Sequence, residues 1–191
     1  MKKFHEVEIA GLKRQLPLYQ IDEDTMIPLF IAYNDVPLIQ ASAEALLEKV
    51  PDFDCIVTEE LQGISLAYAM TLLAGKERFV VARKSAKAYM DDVVAIRVVE
   101  RRDDEEHYKR LYLSKDDAEY VKNKRILLVD DVVLHGTTMT ALADLTNALG
   151  GYVVGEASII RHGFEANDED DYMDRSFLLS LPLFSISDND R

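Results

Sequence analysis

The chain has 191 residues, of which 48% are hydrophobic and 30% charged, and a formal net charge of −13 at pH 7. This length suffices for a single domain with a full hydrophobic core. The acidic balance argues against a nucleic-acid or membrane-surface partner, because both require basic patches. The single cysteine, Cys55, excludes an intrachain disulfide and is predicted to be an inert core residue. Because no signal-peptide core and no bilayer-length apolar run is present, we expect a cytoplasmic protein.

The first part of the chain is predicted to form short strands followed by a helix. Residues 1–33 contain two short alternating apolar segments and are too few to fold alone, so we expect them to form a flap over the rest of the chain. Asn34 or Asp35 can cap a helix that carries Pro37 in its first turn. Residues 53–58 then predict the first strongly buried strand.

The middle of the chain predicts a strand–loop–helix unit and a hairpin. The loop is residues 60–63 and the helix runs from about residue 64 to residue 73. A strand at 79–82 ends in the cations Arg83, Lys84 and Lys87. Residues 92–100 and 107–113 predict two antiparallel strands, and the charged turn between them indicates a solvated, mobile hairpin.

A second strand–loop–helix unit carries most of the chemistry. Residues 126–129 are typical of a strand buried on both faces, and Asp130 and Asp131 follow directly. The loop then ends in glycine and two threonines at 136–138, and apolar spacings of three and four predict a helix to residue 149. A loop of this kind at a helix N-terminus binds anions, and the carboxylates can accept hydrogen bonds from sugar hydroxyls. The pattern therefore predicts a sugar-phosphate site.

The end of the chain predicts strands at 152–160 and 183–186. The acidic run 168–171 and His162 are expected at the surface. Strands that alternate with helices indicate an α/β fold with a mainly parallel sheet flanked by helices. In such a fold, ligands bind at the carboxyl ends of the strands. Three features follow such strand ends: the 60–63 loop, the cations at 83–87 and the Asp130–Asp131 pair.

The sequence at 129–141 resembles the phosphoribosyl pyrophosphate (PRPP) signature of type I phosphoribosyltransferases, and most of all that of the adenine phosphoribosyltransferase branch. The resemblance extends to the 60–64 loop, which also has a xanthine-branch character, and to the 82–84 segment and the tail at 181–186. It covers about residues 50 to 187. It implies a Rossmann-like core at 34–187, a small hood made of residues 1–33 and the C-terminal tail, and a flexible hairpin, all within a single domain of residues 1–191.

The implied reaction transfers the phosphoribosyl group of PRPP to a purine, with adenine favoured, and releases pyrophosphate for nucleotide salvage. Mg²⁺ is the implied cofactor, bound through substrate near Asp130 and Asp131 without confident side-chain ligands, and the implied assembly is a homodimer. Asp130, Asp131 and Glu100 are the implied catalytic residues, and the 60–63 loop is implied to contain a cis peptide bond. The implied PRPP-binding residues are Leu61, Gln62, Gly63, Arg83, Lys84, Lys87, Asp130, Asp131, Leu134, His135, Gly136, Thr137 and Thr138.

The sequence also departs from the family pattern. Gln62 replaces a PRPP-binding arginine, and His135 stands where the adenine branch has threonine. Arg97, Arg101 and Arg102 replace Tyr, Tyr and Gly of the hairpin motif. These departures leave an alternative open, namely a non-catalytic regulatory protein that binds PRPP or a nucleotide on the same fold.

Overall fold

The structure is a computed structural model that describes residues 4–90, 92–102, 105–134, 136–162 and 174–185, with the backbone alone for 99–102 and 105–107. These residues form strands and helices in an alternating order. The elements are β1 Phe4–Ile9, β2 Leu12–Gln20, β3 Thr25–Pro28, α1 Val36–Leu47, β4 Cys55–Glu59, α2 Ile64–Leu73, β5 Val80–Ala82, β6 Val94–Arg102, β7 Glu105–Leu113, α3 Lys115–Val121, β8 Arg125–Val133, α4 Thr137–Ala148, β9 Tyr152–His162, β10 Arg175–Leu181 and β11 Phe184–Ser185.

A five-stranded parallel sheet forms the centre of the molecule, with the strand order β10-β9-β8-β4-β5. All five residues of β4 are buried, because β8 and β5 flank it in the sheet and packed elements cover its faces. Cys55, in β4, is fully buried, and burial raises the pKa of its thiol to about 12. The predicted α/β fold with a parallel sheet and the predicted core position of Cys55 are therefore confirmed.

Helices cover both faces of this sheet. Helices α1 and α2 pack on one face in a core that includes Leu46, Met70 and Val129. Helix α4 packs on the other face, where Leu142 and Leu145 meet Leu128 of β8. Of the helices in the described ranges, none combines the length and the apolar composition needed to cross a bilayer.

The β6–β7 hairpin packs against α4 at its base. Val98, Leu111 and Leu113 are buried in the same apolar cluster as Met139. The expectation of a solvated hairpin is therefore wrong for this part. The paired strands also extend to Arg102 and Glu105, into the segment predicted to be a turn.

A second, antiparallel sheet combines the two ends of the chain in the order β1-β2-β3-β11. Val7, Ile9 and Leu16 of this sheet belong to the core formed with α1 and α2. Asp35 links the sheet to α1, because its carboxylate caps the helix by accepting from Leu38 N at 3.2 Å and also accepts from Arg14 Nε at 2.6 Å. The division into a hood and a core at 34–187 stays a prediction.

Three features differ from the sequence-based expectations. Helix α3 and strand β10 were not predicted, although β10 pairs with β9 along the sheet edge. Strand β9 continues to His162, which pairs with Leu181 and is buried, so the predicted surface position of His162 is wrong. Burial lowers the pKa of His162. The acidic run 168–171 lies outside the described residues.

We expect Asp35→Ala to lower the free energy of unfolding by about 1–2 kcal/mol, because it removes a helix cap and a partner of Arg14. The hydrogen bond from Arg14 lowers the pKa of Asp35. This stabilisation is therefore present above the unfolded-state pKa of an aspartate and is lost as the pH falls through the lowered folded-state value. Denaturant unfolding at neutral and acidic pH measures both effects. Asp35→Asn keeps a capping oxygen and should fall between wild type and Asp35→Ala; an Asp35→Ala protein as stable as wild type would contradict the assignment.

Candidate active site

Three segments meet at the edge of the sheet where the parallel strands end. Strand β4 lies between β8 and β5, so the residues that follow β4 and β5 lie beside the carboxyl end of β8. The contact is close at Gly63, where an added Cβ would lie 2.5 Å from Thr58 Oγ1 and 3.0 Å from Asp130 Oδ1. The structure therefore brings together the loop, the cations and the acidic pair that the sequence singled out.

Asp130 and Asp131 lie inside β8 rather than after it, because the strand continues to Val133. Asp131 is 4% exposed, and its Oδ2 has no hydrogen-bond partner among the described residues. Its backbone N–H donates to Asp130 Oδ1 at 2.9 Å. Burial raises the pKa of both carboxyls, and the charge of Asp131 raises the pKa of Asp130 further. The pair therefore favours ligands that donate hydrogen bonds or carry positive charge.

The carboxylate of Glu60 interacts with all three of the predicted cationic residues that follow β5. It accepts from the Lys84 backbone N–H at 2.7 Å and from Arg83 Nη1 at 3.3 Å, and Lys87 Nζ lies 3.5 Å from Glu60 Oε1. Burial opposes ionisation of Glu60, but these donors outweigh it and lower its pKa. The cations are thus held together at the site by a carboxylate from the neighbouring strand end.

Residues 60–63 form a tight loop between β4 and α2. The Glu60–Leu61 peptide bond is cis, as the family resemblance implied. Leu61 and Gln62 are exposed, whereas Gly63 is buried against Thr58 and Asp130. The backbone of this loop therefore lies directly beside the acidic pair.

Helix α4 begins beside the acidic pair. Gly136, its N-cap, has a φ of 71° and provides no side-chain cap, so first-turn N–H groups are available to an anion. Thr137 and Thr138 line a cavity of about 730 Å³. Leu134 is partly exposed at the end of β8, and His135 lies outside the described residues.

The sequence did not reveal two charged residues at this cavity. Glu59, directly before Glu60, is buried, and its Oε2 accepts from Lys109 Nζ at 2.8 Å. Lys109 lies on β7 and is fifty residues away in sequence, so no spacing pattern connects the two. The one feature of the sequence that could have indicated a role for Glu59 in the site was its position at the end of a predicted strand. The backbone of Glu100 lies in β6 opposite His107, and its side chain lies outside the described part of the structure.

The comparisons with known proteins agree with this geometry. Residues 35–187 match the family described as phosphoribosyl transferase domain. The chain is 32% identical over 139 residues to the adenine phosphoribosyltransferase of Thermotoga petrophila, covering 68% of this chain and 77% of that protein. This chain belongs to the phosphoribosyltransferase family.

Solved structures show the same fold. The crystal structure of adenine phosphoribosyltransferase from Thermoanaerobacter pseudethanolicus superposes with a TM-score of 0.64 at 22% identity and covers 93% of this chain and 95% of that one. The Trypanosoma brucei enzyme, in complex with AMP, pyrophosphate and ribose-5-phosphate, superposes with a TM-score of 0.58 at 20% identity and covers 78% of this chain and 66% of that one.

The tight approach at Gly63 predicts a local cost of adding a side chain. We expect Gly63→Ala to lower the free energy of unfolding by about 1–3 kcal/mol, because the new methyl group would displace Thr58 or Asp130. Chemical denaturation measures the change. Gln62→Ala is the matched control, since Gln62 is exposed in the same loop and its truncation should leave stability unchanged. Equal stability of Gly63→Ala and wild type would show that the loop tolerates the added volume.

Proposed function

We propose that this protein transfers the 5-phosphoribosyl group of PRPP to a purine base, with adenine the favoured acceptor, and releases pyrophosphate in nucleotide salvage. The observation that carries the proposal is the convergence of two anion-binding elements on one buried acidic pair. The α4 N-terminus suits a phosphate, and the cations at 83–87 suit a second, more highly charged group. A simple monophosphate site would need only one of them. The sequence identity to adenine phosphoribosyltransferases supports the choice of base.

The proposed roles follow from the charges at each position. Leu134, Gly136, Thr137 and Thr138, together with His135, would hold the 5-phosphate through backbone and hydroxyl donors. Asp130 and Asp131 would accept hydrogen bonds from the ribose hydroxyls, and the Asp131 oxygen without a partner suits such a donor. Their negative field would stabilise the cationic ribosyl centre as the bond to pyrophosphate breaks.

The second group of donors would act on the leaving pyrophosphate. Arg83, Lys84 and Lys87 would neutralise its developing charge, and the backbone of Leu61, Gln62 and Gly63 would add hydrogen-bond donors. Glu100, on the hairpin strand β6, would orient the incoming base or accept its proton. No enzyme nucleophile is required, so catalysis would come from positioning and charge neutralisation.

Mg²⁺ is the proposed cofactor. The buried Asp130–Asp131 pair, with its unpartnered oxygen, fits a hard cation held nearby. Among the described residues no group of three His, Cys, Asp or Glu side chains could hold a metal ion, so most of its ligands would be substrate oxygens and water. The ion would supply charge neutralisation for the phosphate oxygens when bound.

The enzyme assay is direct. We expect the purified protein, with PRPP, Mg²⁺ and adenine, to form AMP and pyrophosphate, measured by chromatography and a coupled pyrophosphate assay. Guanine, hypoxanthine, xanthine and the pyrimidine bases test the specificity. PRPP binding in calorimetry without turnover on any base would instead identify the non-catalytic alternative, and neither binding nor turnover would refute both.

The double substitution Asp130→Asn with Asp131→Asn distinguishes a loss of ligand binding from a loss of folding stability. Because folding raises the pKa of both carboxyls, each destabilises the native state at neutral pH, and their ionisation removes stability as the pH rises through the raised values. The double variant should therefore lose PRPP binding and turnover yet keep a Tm no lower than that of wild type. Unchanged PRPP affinity would contradict the assigned role.

We also propose that the protein is cytoplasmic and forms a homodimer through an apolar face on α1, α2 and the loop before α2, here called the α1–α2 face. It comprises Val36, Leu61, Tyr68, Leu72 and Leu73, each at least 45% exposed. Among the described residues, those lining its groove include no charged side chain, although the chain carries a net charge of −13. An uncharged face on an acidic protein suits a second copy of itself, because two such faces meet without charge repulsion.

Substitution of Leu72 by Glu tests this surface. We expect wild type to sediment as a dimer and Leu72→Glu as a monomer, because a carboxylate in each of two facing apolar surfaces would be desolvated. Tyr152→Glu is the control, since Tyr152 is 60% exposed at the start of β9 and does not line the groove. A monomeric wild-type protein, or a dimeric Leu72→Glu variant, would refute the proposed interface.

A further inference from the structure

Glu59 is a buried carboxylate at the proposed pyrophosphate site that has no assigned role. It ends β4, and its side chain is 5% exposed. Lys109 Nζ lies 2.8 Å from its Oε2, and Lys84 Nζ lies 3.2 Å from its Oε1. One carboxylate thus holds two ammonium groups, one from the segment after β5 and one from the hairpin.

The same two lysines face the cavity beside the α4 N-terminus. Lys84, Lys109, Arg97 and Arg110 line this cavity of about 730 Å³, and Glu59 is the one carboxylate among its described lining residues. Four cationic side chains against one carboxylate make the cavity attractive to a polyanion, in a chain whose overall charge is strongly negative.

Glu59 and a polyanion would therefore use the same donors. Because an ammonium has three N–H groups, an oxygen of a phosphate group that approaches Lys84 or Lys109 either displaces the Glu59 oxygen or shares the ammonium and its positive charge with it. The buried carboxylate would also repel the incoming anion through a medium that screens poorly. Lys84 can exchange partners readily, because its side chain is 64% exposed. The side chain of Lys109 is 21% exposed, and Lys109 lies on the hairpin strand β7.

We propose that Glu59 is an internal counter-ion that competes with the pyrophosphate group for Lys84 and Lys109 and so weakens the binding of PRPP and pyrophosphate. This inference rests on the proposed function for the identity of the anion. Glu59 acts through the two lysines and is a positioning residue. Its competition with the anion favours pyrophosphate release after transfer.

The direction in which one substitution changes the Kd for pyrophosphate distinguishes this role from a purely structural one. Glu59→Gln keeps the size of the side chain and removes its charge. We expect the Kd for inorganic pyrophosphate with Mg²⁺, measured by calorimetry at fixed ionic strength, to fall by roughly two- to tenfold. If Glu59 only oriented the lysines, the same substitution would raise the Kd. An unchanged or raised Kd in the folded variant overturns the proposal.

Two further variants complete the test. Lys109→Met should raise the Kd for pyrophosphate by a similar factor, and an unchanged Kd overturns the proposal even if Glu59→Gln does not fold. Glu156→Gln is the matched control, since Glu156 is also buried and ion-paired, to Arg175, but lines a different cavity. It should leave the Kd unchanged. A wild-type protein that binds pyrophosphate but forms no nucleotide refutes the proposed function while leaving this inference standing, and the absence of pyrophosphate binding by every variant refutes the inference.

Discussion

The parallel pairing of β4 with β8 on one side and β5 on the other is the constraint on which the site depends. It fixes three strand ends at one edge of the sheet, within reach of one small ligand. The approach of Gly63 to Asp130 is a direct consequence, since the loop after β4 must turn across the end of β8 to begin α2. A shift of β4 by one residue would turn its side chains to the opposite face and separate these groups.

Charge is concentrated at this edge at the expense of stability. Asp130 and Asp131 are neighbouring buried carboxyls with raised pKa values, and Glu59 and Glu60 end the adjacent strand. Cations from two other segments compensate the second pair, namely Arg83, Lys84 and Lys87 after β5 and Lys109 on β7. The acidic pair in β8 keeps an oxygen without a partner among the described residues. One acidic pair is thus compensated by cations and the other is not. This difference is typical of a binding site, where the ligand supplies the missing partners.

Most of the fold could be predicted from local patterns, and the failures have physical reasons. Helix α2 lies at the predicted residues 64–73, because an apolar segment with a glycine at each end leaves little ambiguity. Helix α3 has seven residues and buries two of them, Ala118 and Val121, which is too few for a periodicity to emerge. Strand β10 is a half-buried edge strand whose apolar residues do not alternate, so its sequence does not distinguish a strand from a helix.

His162 shows the same limit for a single side chain. A histidine after an apolar strand is as typical of a turn as of a strand, and its burial appears only in the structure, where β9 pairs with β10 up to His162. The wrong prediction of a solvated hairpin has a similar cause. Helix α4 covers Val98 and Leu111, and the sequences of the two hairpin strands do not indicate that a helix packs on them.

The sequence by itself determined the chemical groups of this protein: an acidic pair after a buried apolar run, a glycine–threonine loop at a helix start and a cation cluster after another strand. These signals are local, because strands, caps and anion-binding loops are specified by residues adjacent in the chain. Only the tertiary structure decided which charges face each other. The pairing of Glu59 with Lys109 joins residues fifty positions apart through the packing of a hairpin on a helix, and no local rule encodes that contact.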